Sequence, residues 1–111
     1  MRRDKDRLLD ILEAIENIQK RLTAGRDAFF KDDLLQVWAV HHIQIIGEAT
    51  ANVSANLRNK HPQIPWADVV SMRNVLVHEY FGIDVDEIWD TVTNDLPKLK
   101  QQVEDILRLV D

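Results

Sequence analysis

Arg73, His78 and Tyr80 stand close together in the stretch Ser71 to Gly82, SMRNVLVHEYFG. Arginine presents a rigid fork of donors that fits phosphate oxygens. Histidine trades protons near neutral pH. The tyrosine hydroxyl donates, accepts and can be modified. Together these side chains suit acid–base work on a phosphate. The same stretch holds the apolar residues Met72, Val75, Leu76 and Val77, so the three polar side chains ride on an element expected to be a half-buried helix.

The spacing sets a limit on what one such helix can do. At about 100° and 1.5 Å per residue, Arg73 and His78 are about 140° apart and about 7.5 Å apart along the axis. They do not share a face. Asn74 and His78 do, four residues apart, so the amide is placed to orient the imidazole. A second copy of the helix across a two-fold axis would gather two arginines and two histidines. The same spacing is also met by a solvated arginine, a capping histidine and a tyrosine packed at a corner, and short patterns match by accident.

The rest of the chain reads as helices that could hold this stretch. Leu8, Ile11, Ile15, Ile18 and Leu22, with Leu9 and Leu12 widening the stripe, predict an amphipathic helix from about Asp4 to Thr23. Gly25 is a natural stop, and Phe29 and Phe30 are expected to plug the core from the connection. Asp33 and Gln36 read as a capping box for a second helix that starts near Asp32 or Asp33 and runs to about Leu57. That helix is apolar over more than one face, so it is central or needs both a core and a partner. Small residues at Gly47 and Ala49 allow a close backbone approach. Glu48 between them would need a partner such as an arginine or a helix-end N–H if buried, and means little if exposed.

His61 to Trp66, HPQIPW, is the Pro-rich break. Pro65 suits the first position of a third helix, with Trp66 as an anchor, and that helix carries the motif to Phe81 and Gly82. Asp84 with Glu87 opens a last helix. Ile88, Val92, Leu96, Leu99, Val103, Ile106 and Val110 keep phase through Pro97, which predicts one kinked helix. No strand pattern, repeat or low-complexity tract occurs. The expected fold is all-α, an up-and-down bundle of four to five helices.

Length and charge narrow the function. The 111 residues suit one domain, spanning 1–111, and a core of that size gains from dimerisation. With no cysteine there is no disulfide scaffold or thiol nucleophile, which fits a reducing cytoplasm. No apolar run approaches a membrane span, and the start, MRRDKDRLLDILE, passes directly into an amphipathic pattern unlike a signal peptide. The net charge of −5 argues against loose binding to nucleic acid. Eight acids against three bases from Asp84 onward account for all of it, leaving 11 of each elsewhere. Arg2, Arg3, Lys5, Arg7, Arg58 and Lys60 could therefore rim a local site, or be ordinary solvated charges. The histidines, His41, His42, His61 and His78, form no HxxxH or HExxH pair. His41 and Glu48 share a face but lie about 10.5 Å apart along the axis, too far to share an ion directly. No metal or cofactor site is expected. There is no Gly-rich phosphate loop, and Ser54 and Ser71 carry no nucleophile-elbow signature. What remains is metal-free acid–base chemistry on phosphate, or no chemistry.

RNVLVHEY has the form R-x4-H-x-Y. Around it stand IQIIGEA at Ile43 to Ala49, IPW at Ile64 to Trp66, MRNVLVHEYFGID at Met72 to Asp84 and WDTVTNDLP at Trp89 to Pro97. These blocks, in this order along the whole chain, resemble the HepT-like branch of the HEPN superfamily. Ser71 stands where many relatives carry Gly, without consequence for chemistry.

The resemblance implies a homodimeric helical bundle with both motifs lining one cleft. It implies the toxin of a type VII toxin–antitoxin pair, a metal-independent endoribonuclease. The implied partner is an MntA-like minimal nucleotidyltransferase that silences the toxin by transferring AMP to the motif tyrosine. By position, His78 is the implied general acid or base, Arg73 the stabiliser of the phosphate, Asn74 a supporting residue and Tyr80 the modified one. Glu48 lies in a family block without an implied role. The chemistry agrees: cleavage needs the 2′-hydroxyl deprotonated, the leaving oxygen protonated and the crowded phosphate stabilised. DNA lacks that hydroxyl. The alternative is a non-catalytic HEPN-type dimer that binds RNA, a nucleotide or a protein.

Overall fold

Leu8, Ile11, Ile15 and Ile18 recur at helical spacing and are fully buried on one side of α1, Arg2–Gln19. Burying a side chain of that size contributes about 1.5–3 kcal/mol. Leu12 is half-buried, but Leu9 is 44% exposed, so the stripe is narrower than expected. The helix also closes earlier than Thr23. The amide of Arg21 turns back to the carbonyl of Ile18, and that of Leu22 to Gln19. Gly25 follows at φ 90°, in the region that favours glycine, and leads into a short helix α2, Arg26–Lys31. Phe29 on α2 is fully buried, its ring 5.3 Å from that of Trp89. The phenylalanines do plug the core, from a helix where a plain connection was expected.

The computed structural model describes residues 2–75 and 84–109. Among them the chain is helical almost throughout, without strands. The central element is α3, Asp33–Ala51, which packs on α1, α2, α5 and α6. Its cap is Asp32, whose carboxylate accepts from the amides of Leu34 and Leu35. Gln36 makes no capping box with Asp33. Its amide nitrogen instead donates to the carbonyls of Phe29 and Phe30 at the end of α2.

The expected extension of this helix to Leu57 is not observed. It ends at Ala51, and Ser54 starts a separate helix α4, Ala55–Lys60, by accepting from the amide of Leu57. Buried Asp4 on α1 holds Ser54 in place, taking its amide at 2.9 Å and its hydroxyl at 2.6 Å. Arg58 then reaches back to the carbonyls of Thr50 and Ala51 at the end of α3.

Helix α5 begins at Trp66, just after Pro65, and is described to Val75. Trp66 is the anchor expected, buried with its indole N–H on the carbonyl of His61 at 2.9 Å. The predicted end of this helix at Phe81–Gly82 lies outside the described residues. The last run opens on Asp84, whose side chain accepts from Glu87. It comprises α6 (Val85–Asp90), a π turn (Thr91–Asp95) and α7 (Leu96–Leu109) without a break. The amide of Leu96 bonds the carbonyl of Thr91, five residues back. This wider turn precedes Pro97, which has no amide hydrogen to continue the ladder. Leu96, Leu99, Val103 and Ile106 face the same core as α1.

Candidate active site

Helices α3 and α5 meet at Gly47. A Cβ built there would stand 2.5 Å from the amide nitrogen of Arg73 and 2.8 Å from its Cβ. Glycine is therefore what lets the Arg73 backbone lie directly on α3. The close approach expected of Gly47 is present, and its neighbour across the gap is the motif arginine.

The next residue of α3 meets the arginine head. Nη1 of Arg73 donates to Oε2 of Glu48 at 3.2 Å, with the two side chains 38% and 64% exposed. Water screens a pair this open, and such pairs contribute about 0–1 kcal/mol to stability. Beside it is an open groove lined by His41, Gln44, Ile45, Glu48, Arg73 and Asn74. An arginine that uses only one edge of its fork for the carboxylate keeps other donors for a phosphate.

Of the site residues read from the sequence, Arg73 and Asn74 are thus brought together on α5 at the lip of this groove. His78 and Tyr80 lie outside the described residues, as does any contact between Asn74 and His78. Of the basic residues expected to rim a site, Arg58 is spent on the end of α3, and Arg7 lies 4.0 Å from Asp10. Neither lines the groove. His42 is buried, with Nδ1 2.9 Å from the carbonyl of Trp38 and its ring against the indole, which gives it a packing role. His41 faces the groove, a position that its shared face with Glu48 carried in the sequence. Glu48 as the partner of Arg73 was the residue without an assigned role.

A model of the ribonuclease HepT-like family matches residues 11–106. The chain belongs to the ribonuclease HepT-like family. A protein of Thermococcus cleftensis described as a probable ribonuclease HepT is 41% identical over 107 residues, covering 93% of this chain and 94% of that one. A relative from Caldanaerobacter subterraneus subsp. tengcongensis, named "Putative RNase TTE0752", is 36% identical, with 97% of each chain covered. A longer relative from Methanocaldococcus jannaschii, "Gamma-glutamylcyclotransferase and putative RNase MJ0434", is 38% identical over 104 residues, 94% of this chain but 46% of that one. No solved structure is significantly similar. Among the described residues no helix is long and apolar enough to cross a membrane.

Proposed function

We propose that this HepT-like chain is a metal-independent endoribonuclease, the toxin of a type VII toxin–antitoxin pair, acting in the cytoplasm as a homodimer. The observation that carries the reading is the placement of Arg73. Its backbone is fixed on α3 at Gly47, and its guanidinium stands at an open groove. Family membership supplies the substrate class: relatives bear ribonuclease names.

In this reading the 2′-oxygen, on losing its proton, attacks the adjacent phosphorus. The bond to the 5′-oxygen breaks, leaving a 2′,3′-cyclic phosphate, and the departing oxygen takes up a proton. His78 serves the proton transfers, and Arg73 donates to the phosphate oxygens as charge builds on them. Asn74 supports the imidazole. Two proton tasks arise in one turnover, and a two-fold pair of motif helices gives each its own histidine. This is the chemical reason for the dimer, with α5 in the interface. The partner is an MntA-like nucleotidyltransferase, and AMP on the Tyr80 hydroxyl brings a negative phosphate and a bulky base to the place of the substrate phosphate.

The test is cleavage of RNA by purified protein in excess chelator. Arg73→Ala and His78→Ala each lower the rate by about 10²–10⁴, and light scattering gives the mass of a dimer. Co-expression with the nucleotidyltransferase adds AMP to the wild type and not to Tyr80→Phe, read by intact mass. Cleavage only with added divalent ion, or an undiminished His78→Ala, refutes the mechanism.

A further inference from the structure

Glu48 is a charged side chain of opposite sign to Arg73, placed at the edge of a groove read as binding an anionic substrate. A carboxylate there weakens the pull on RNA, so its presence calls for a function beyond charge balance. Three features of the structure bear on it. Its oxygen takes Nη1 of Arg73 at 3.2 Å. It directly follows Gly47, where α5 rests on the backbone of α3 at Arg73. Its own carbonyl accepts from the side chain of Asn52 at 2.9 Å, a further tie close to the end of α3. The ends of the ion pair are therefore set by two helix backbones in contact, which distinguishes it from a pair between free surface side chains.

We propose that Glu48 is the positioning residue for Arg73: it holds the guanidinium over the groove before substrate arrives. This rests on the ribonuclease reading for its consequence, though not for the ion pair itself. An arginine has many rotamers, and holding one in advance lowers the cost of meeting the transition state. One edge of the fork is kept by Glu48 and the rest faces the phosphate. The carboxylate opposes ground-state binding of RNA while favouring the geometry in which charge is stabilised. Its removal therefore acts on kcat, and KM stays level or falls.

The experiment has two arms. The first measures steady-state cleavage of a short RNA by wild type, Glu48→Ala, Glu48→Asp, Arg73→Ala and the double variant. Glu48→Ala loses up to about fivefold in kcat without a rise in KM, the scale on which an exposed ion pair can hold a side chain in place. Glu48→Asp recovers part of the loss, and in the Arg73→Ala background Glu48→Ala costs nothing further. Wild-type kinetics in Glu48→Ala, or the full loss repeated in the Arg73→Ala background, overturns the proposal. The second arm needs no RNA. In ¹⁵N spectra of arginine side chains, the Arg73 signal shifts and gains mobility in Glu48→Ala, while melting curves stay close because Glu48 is exposed. Unchanged Arg73 signals overturn the ion pair. If wild type cleaves no RNA, the ribonuclease reading fails on the first arm, and the second arm still decides the contact.

Discussion

Two layers of the bundle are held by different means. α1 and α7 contribute Leu8, Ile11, Ile15 and Ile18, and Leu96, Leu99, Val103 and Ile106, to one apolar core. α3 and α5 meet where a glycine has no side chain to offer. The first arrangement is secured by volume. Many apolar sets of similar size would fill it, with small losses. The second is secured by position. Beside the apolar packing it shares with the first through Ile43, Ile46 and Val69, its own content is the distance between two backbones, and what it supplies is the location of Arg73.

The comparison predicts that stability and activity respond in opposite proportion at the two places. Ile15→Ala in the first layer costs about 2–5 kcal/mol, from lost transfer energy and a residual cavity. Urea unfolding reads this as a fall in midpoint at unchanged slope. Cleavage per folded molecule, at a temperature where the variant is still folded, stays at the wild-type value. A lowered rate constant in fully folded Ile15→Ala breaks the comparison, because the core would then be transmitting its packing to the groove.

Gly47→Ala is the counterpart. The added methyl meets backbone rather than a flexible side chain, so the helices must part by a few tenths of an ångström or more. Overpacking costs about 1–3 kcal/mol, and alanine's better helix propensity returns up to about 1. The net loss in stability is smaller than for Ile15→Ala. The loss in cleavage is larger, about tenfold to a hundredfold, because Arg73 moves with α5. Gly47→Ala that cleaves as wild type shows the close approach to be packing alone.

The same division governs how much the sequence disclosed. Periodic apolar residues marked α1, α3 and α7, because a core needs only type and spacing. Asp84 disclosed its cap, and unbroken phase disclosed that Pro97 does not end the last helix. Leu9 misled because a wider stripe reads the same whether or not a neighbour covers its edge. The end of α3 was missed for a different reason. Apolar phase continues to Leu57, whereas the break at Ser54 depends on Asp4, fifty residues away. At the candidate site, Arg73 and Asn74 were legible as types in a motif. Glu48 stayed without a role because its partner sits on another helix, and only the packing at Gly47 brings them together.

The smallest expected effect tests that missed junction, which belongs to neither layer. Ser54 both accepts from the Leu57 amide as a helix cap and donates its hydroxyl to buried Asp4. Ser54→Ala loses the cap, which costs about 1 kcal/mol, and leaves the carboxylate one donor short. Aspartate is ordinarily as good a cap as serine. Here it cannot donate, and it places a second carboxylate beside Asp4, where like charges oppose each other. Thermal melting near neutral pH therefore ranks Ser54→Asp below Ser54→Ala, and Ser54→Thr near wild type, since threonine keeps both the donor and the acceptor. Cleavage by the folded variants stays unchanged, because neither Ser54 nor Asp4 lines the groove. If Ser54→Asp is as stable as wild type, the Asp4 contact does not fix the junction, and the end of α3 at Ala51 must be set by Arg58 on the carbonyls of Thr50 and Ala51.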